Sequence, residues 1–128
     1  MSLWTLDLQS RADFFAAYMD CALWSTNDNS TPDGGDSLDQ NYSISDIAKE
    51  AKDHMREDCN VFMRNNRFNL MDMHPEQAGH DFWLTRNGHG AGFWDRGLGE
   101  LGDRLTAAVH AFGEIDLYVG DDGLLYLA

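Results

Sequence analysis

Residues 79–97, GHDFWLTRNGHGAGFWDRG, set two Phe-Trp pairs, Phe82-Trp83 and Phe93-Trp94, on either side of a glycine-rich turn. Rings of that size must be buried or find a partner surface, so this segment constrains the fold more than any other. From His80 the apolar period reads as two. His80–Arg86 and Ala91–Asp95 are therefore predicted as paired strands joined across Asn87-Gly88, a strong two-residue hairpin signal. In that register Arg86 faces His89, Phe82 faces Phe93 and His80 faces Asp95. His80, Phe82, Leu84, Arg86, His89, Ala91, Phe93 and Asp95 then share one side of the ribbon. Trp83, Thr85 and Trp94 lie on the other, and a cross-strand His80–Asp95 ion pair is expected.

Elsewhere the period is helical. A first helix is expected from about Ser10 to Trp24, with Ser10 as its cap and Phe14, Ala17, Tyr18, Cys21 and Ala22 on the apolar stripe. Residues 25–42 read as a surface loop centred on Pro32-Asp33-Gly34-Gly35. A second helix spans about Ser45 to Arg64, and Ser43 with Asp46 resembles a capping box. Residues 65–79 are expected to be irregular, with a short turn begun by Pro75. Leu98, Leu101, Leu105, Ala108 and Phe112 give a third helix ending at Gly113. Ile115–Val119 and Leu124–Leu127, around Asp122-Gly123, make a second hairpin. The expected fold is α+β in one domain over residues 1–128. Three helices would pack on one face of a roughly four-stranded antiparallel sheet built from the two hairpins.

Charge narrows the choice of partners. The 128 residues carry 22 acidic and 9 basic side chains, a formal net charge of −13. Asp28, Asp33, Asp36, Asp39, Asp46, Glu50, Asp53, Glu57 and Asp58 crowd one stretch, and Glu114, Asp116, Asp121 and Asp122 follow near the end. Such a field repels phosphate backbones and attracts basic surfaces, which argues against direct nucleic-acid binding. Asp28, Asp33, Asp36, Asp39, Asp46, Glu50, Asp53 and Glu57 form the candidate acidic face for a basic protein partner. The alternative is that these acids serve only solubility. No apolar run reaches the length of a membrane span and no secretion signal is evident, so a cytoplasmic protein is expected.

Motifs for catalysis are weak. The loop at 29–40 fails as an EF-hand, because Asn, Thr and Gln stand where acidic ligands are needed. Cys21 and Cys59 have no metal or redox spacing and fall on expected core faces. The GHGAG run lacks the fingerprint and lysine of a phosphate loop, and no serine sits in a nucleophile elbow. His80, His89 and Asp95 lack usual zinc spacing, so no metal or other cofactor is expected. What remains is a candidate polar patch of His80, Arg86, His89, Asp95 and Arg96, read either as a ligand or partner site or as sheet support.

The stretches Tyr18-Met19-Asp20-Cys21-Ala22-Leu23-Trp24-Ser25 and Ala78 through Gly97 resemble a group of small acidic proteins found in bacteriophage genomes, prophages and bacterial mobile elements. That resemblance implies the cytoplasm of an infected or lysogenic bacterium and supplies no catalytic residue. The leading expectation is a non-enzymatic module whose acidic surface engages a basic, nucleic-acid-binding host or phage protein. The alternatives are a ligand-binding or enzymatic site around His80 and Asp95, and an assembly protein that self-associates through a hairpin edge.

Overall fold

Residues 7–30 and 35–128 are described by this computed structural model. The expected turn residues Pro32, Asp33 and Gly34 lie outside them. Helix α1 runs Leu8–Ser25, opened by the Asp7 carboxylate, which accepts the Ser10 N–H at 2.7 Å. The cap is thus Asp7, with Ser10 one turn inside. The Ser43–Asp46 capping box forms as read, on a short 3₁₀ turn ahead of α2, Lys49–Asn65. A one-turn α3, Arg67–Leu70, leads to α4, Pro75–Arg86, and α5 spans Glu100–His110. Strands β1, Leu117–Val119, and β2, Leu125–Leu127, pair antiparallel with Tyr118 opposite Tyr126.

The four-stranded sheet does not form. Among the described residues the only sheet is the two-stranded β1–β2 hairpin, and the fold is mostly helical. Residues 80–86, expected as a strand, belong to α4, and the expected partner strand is a loop closed by a 3₁₀ turn at Phe93–Asp95. Burial explains the misreading. Ala78, Gly79, Asp81, Phe82, Trp83, Leu84, Thr85 and Arg86 are all buried, so α4 has no polar face to mark a 3.6-residue period. Its aromatic and β-branched residues then read as strand formers. Asn87-Gly88 is also ambiguous, since Gly suits both a hairpin turn and a helix stop. Here His89 N–H bonds to Leu84 O at 3.1 Å and Gly88 N–H to Thr85 O at 3.4 Å, the paired bonds of a Schellman stop. Gly88 takes the left-handed φ of 67° that this stop requires.

Helix α4 is the centre of the molecule and packs most extensively on α1. A Cβ on Gly79 would sit 2.1 Å from the Phe14 carbonyl oxygen, so the two backbones meet where no side chain fits. Around this crossing Phe62 and Phe82 stack at 4.3 Å, with Phe14, Tyr18, Phe93 and Phe112 closing on them. Trp83 is fully buried, whereas Trp94 stays half exposed. On the opposite flank, Ile47 bridges Leu125 in parallel and Ala48 N–H bonds to Leu125 O at 2.9 Å, docking the hairpin on the start of α2.

Candidate functional site

Of the five residues read as one polar patch, the structure brings only two to a common surface. Arg86 is buried. Its guanidinium donates to Asp58 at 2.7 Å, to the Tyr18 hydroxyl at 2.9 Å, and to the backbone oxygens of Gly113 and Phe112. Together these bonds tie α4, α2, α1 and the end of α5 into one knot, which is a structural role. His89 closes α4 through its backbone, and Asp95 is exposed on its 3₁₀ turn.

His80 and Arg96 border a groove of about 690 Å³ between α1 and α4, lined also by Asp13, Asp20, His74, Glu76 and the small Ala16 and Ala17. The expected His80–Asp95 pair is replaced by one shifted along the chain. Arg96 clasps the fully buried Asp81, with Nη2 2.7 Å and Nε 3.1 Å from its two carboxylate oxygens. His80 instead stacks on Trp24 and accepts its indole N–H on Nε2 at 3.1 Å. The Nδ1 atom of His80 is buried with no hydrogen-bond partner. Burial holds this imidazole below its ordinary 6.5, opposed by Asp81 and aided by Arg96. Because Arg96 is already matched by Asp81, the groove keeps the excess charge of Asp13, Asp20 and Glu76.

A second surface surrounds the hairpin. Glu50 from the first turn of α2 meets Asp121 and Asp122 of the β-turn around Tyr118, Val119 and Tyr126, lining a hollow of about 470 Å³. Tyr118 and Tyr126 lie side by side with ring centroids 6.0 Å apart. Asp122 accepts both the Tyr126 hydroxyl and the Leu124 N–H, which holds its carboxyl below the usual range and raises the phenol to about 12. Asp28, held ionised by the Ser30 hydroxyl and amide, borders an adjoining groove with Tyr118 and Val119. The expected acidic face is thereby divided. Asp28 and Glu50 line the hairpin surface, while Asp33 lies outside the described residues. Exposed Asp53 is shared by Lys49 and Arg56, Asp46 is half-buried in its capping box, and Asp39 accepts the Ser37 hydroxyl. Asp36 and Glu57 are exposed. Charge spacing along the chain does not assign Tyr118, Tyr126, Asp121 or Asp122 to that face. The bridge from Ile47 to Leu125 that unites them with Glu50 has no local signature in the chain.

The chemistry of the remaining candidates is inert. Burial pushes the Cys21 thiol up to about 12 and Cys59 well above its ordinary value, so both stay protonated and unreactive. No group of three His, Cys, Asp or Glu side chains among the described residues could hold a metal ion. No helix of the described residues is long and apolar enough to cross a membrane. Comparison with known protein families, with curated proteins and with solved structures found no match.

Proposed function

We propose that this protein is a non-enzymatic binding module, encoded in the phage and mobile-element setting its sequence resembles, whose acidic hairpin face engages a basic protein. The observation that carries this reading is the convergence of Glu50, Asp121 and Asp122 on the paired rings of Tyr118 and Tyr126. Carboxylates attract lysine and arginine over distance, and the exposed Tyr118 ring beside half-buried Tyr126 adds cation–π contact and apolar area once they arrive. No lysine or arginine lines this hollow. The fitting target is a nucleic-acid-binding protein of the host or the phage, whose cationic surface this face would cover.

A tagged copy passed over bacterial lysate is expected to retain a basic, nucleic-acid-binding protein in a complex that dissociates with salt. The double variant Glu50→Lys, Asp121→Lys should lose it at unchanged stability. Retention of nothing, or of an acidic partner indifferent to salt, refutes the proposal.

One observation favours a second reading, a small-ligand site in the α1–α4 groove. His80, whose buried Nδ1 has no hydrogen-bond partner, borders that groove beside Asp13, Asp20 and Glu76. Small amines that shift the NMR signals of His80 and the Trp24 indole would support it. Shifts confined to the hairpin would not.

A further inference from the structure

We infer that the partner adds an extended, basic segment as a third strand along the open edge of β1, an inference that rests on the acidic-face reading above. The hydrogen-bond register leaves that edge unpaired among the described residues, with Val119 half-buried and Leu117 buried beside the groove. Asp116 and Ala128 exchange both backbone bonds, at 3.1 and 2.9 Å, and Gly120 N–H bonds to Leu124 O at 2.7 Å. In an antiparallel ladder such pairs alternate, so Tyr118 bonds to Tyr126 while the N–H and C=O groups of Leu117 and Val119 point away from β2.

The corresponding outward edge of β2 is covered at Leu125, whose carbonyl oxygen accepts the Ala48 N–H. The edge of β1 has no such cover among the described residues. Among the described residues no strand or bridge pairs with it. An unpaired row of donors and acceptors is a template for another chain.

The space beside the edge is shaped and charged. A groove of about 250 Å³ separates Leu117, Tyr118 and Val119 from Asn27, Asp28, Asn29 and Ser30, with buried Leu38 also lining it. Asn27 is held in place by its antiparallel bridge to Ser37, with Asp28 N–H bonded to Asp36 O at 2.9 Å. This gives the groove a firm far wall. Asp28 stands across from the strand, Glu114 and Asp116 precede it in the chain, and Asp121 and Asp122 follow it on the adjoining hollow. No lysine or arginine follows Arg104 in the chain. Backbone pairing along the edge supplies affinity without regard to sequence, and the rim selects lysine- or arginine-bearing strands while rejecting acidic ones.

Hydrogen exchange with an alternating lysine–valine peptide tests this directly. The Leu117 and Val119 amides should slow by about tenfold or more on binding. The Tyr118 amide, already paired to β2, serves as the internal reference. Val119→Pro removes an outward donor and no ladder bond, so it should weaken the peptide by about tenfold with the hairpin intact. If that variant does not fold, exchange in the unaltered protein decides the matter. Unchanged Leu117 and Val119 exchange in the saturated complex overturns the inference. So does equal affinity for a lysine–proline peptide of the same charge, which cannot pair as a strand, although the acidic-face reading would then survive. Equal binding of a glutamate–valine peptide also overturns it, and the acidic-face reading with it, because the rim would then not select a basic strand.

Discussion

Truncation of Arg86 would strand four acceptors at once: the Asp58 carboxylate, the Tyr18 hydroxyl and the carbonyls of Gly113 and Phe112. Removing one partner of a buried pair costs more than the pair contributes, because the other charge stays behind. Arg86→Ala is expected to lose about 3 kcal/mol in urea unfolding, the lower end of the usual range, since Asp58 keeps some contact with water. A loss below about 1 kcal/mol would show that solvent reaches the vacated site. His80 offers a pH test. Its folded pKa lies below the ordinary 6.5, so the fold favours the neutral ring, and the stability it contributes is complete above that value. As pH falls below 6.5 the unfolded chain takes up the proton first, and stability declines until the folded ring titrates too. Protonation also replaces the Nε2 acceptor with a donor, which the Trp24 indole N–H cannot meet. Trp24 emission should change over the same acid range, and His80→Gln should flatten that part of the stability profile. An unchanged profile in the variant would remove His80 as the cause.

At the scale of elements, the α1–α4 crossing depends on Gly79, where the Phe14 carbonyl occupies the place of a Cβ. Gly79→Ala should destabilise the protein by about 2–3 kcal/mol despite the better helix propensity of alanine, because the backbones must separate. A gain in denaturant midpoint would show that the helices slide apart freely. The same crossing explains what the chain discloses and what it conceals. Helix α1, the Ser43–Asp46 box, the Gly113 stop and the β1–β2 hairpin were legible because each has a local cause: an apolar stripe, a cap, or a turn residue. Helix α4 was not, since burial on nearly all sides erases amphipathicity, and its Asn87-Gly88 end imitates a hairpin. Losing that helix displaced the site as well. A ribbon would set His80 opposite Asp95, whereas helical geometry gives Asp81 to Arg96 and turns His80 toward Trp24. The acidic composition was visible from the start, but its union with Tyr118 and Tyr126 depends on the long-range bridge from Ile47 to Leu125.

For the whole molecule, the decisive quantity is the net charge of −13, an excess of carboxylates that no internal ion pair can reduce. Among the described residues, the basic side chains Lys49, Arg56, Arg86, Arg96 and Arg104 pair with the carboxylates Asp53, Asp58, Asp81 and Glu100. Lys49 and Arg56 share Asp53, and Arg104 stands 3.9 Å from an exposed Glu100, so those surface pairs add little. Folding brings the remaining carboxylates together, and their repulsion opposes the compact state. Added salt shortens the screening length from about 30 Å near 0.01 M to about 8 Å at 0.15 M, which relieves repulsion over distances the close pairs do not span. The melting temperature is therefore expected to rise by about 3–5 °C over that range, equivalent to ~1 kcal/mol, as read by calorimetry at neutral pH. A fall would mean that the few ion pairs outweigh the field. The same ions should slow association with a cationic partner, because the attraction that steers it is screened by the same length. Salt must then act in opposite directions on folding and on binding. A protein whose carboxylates served solubility alone would show the first effect without the second.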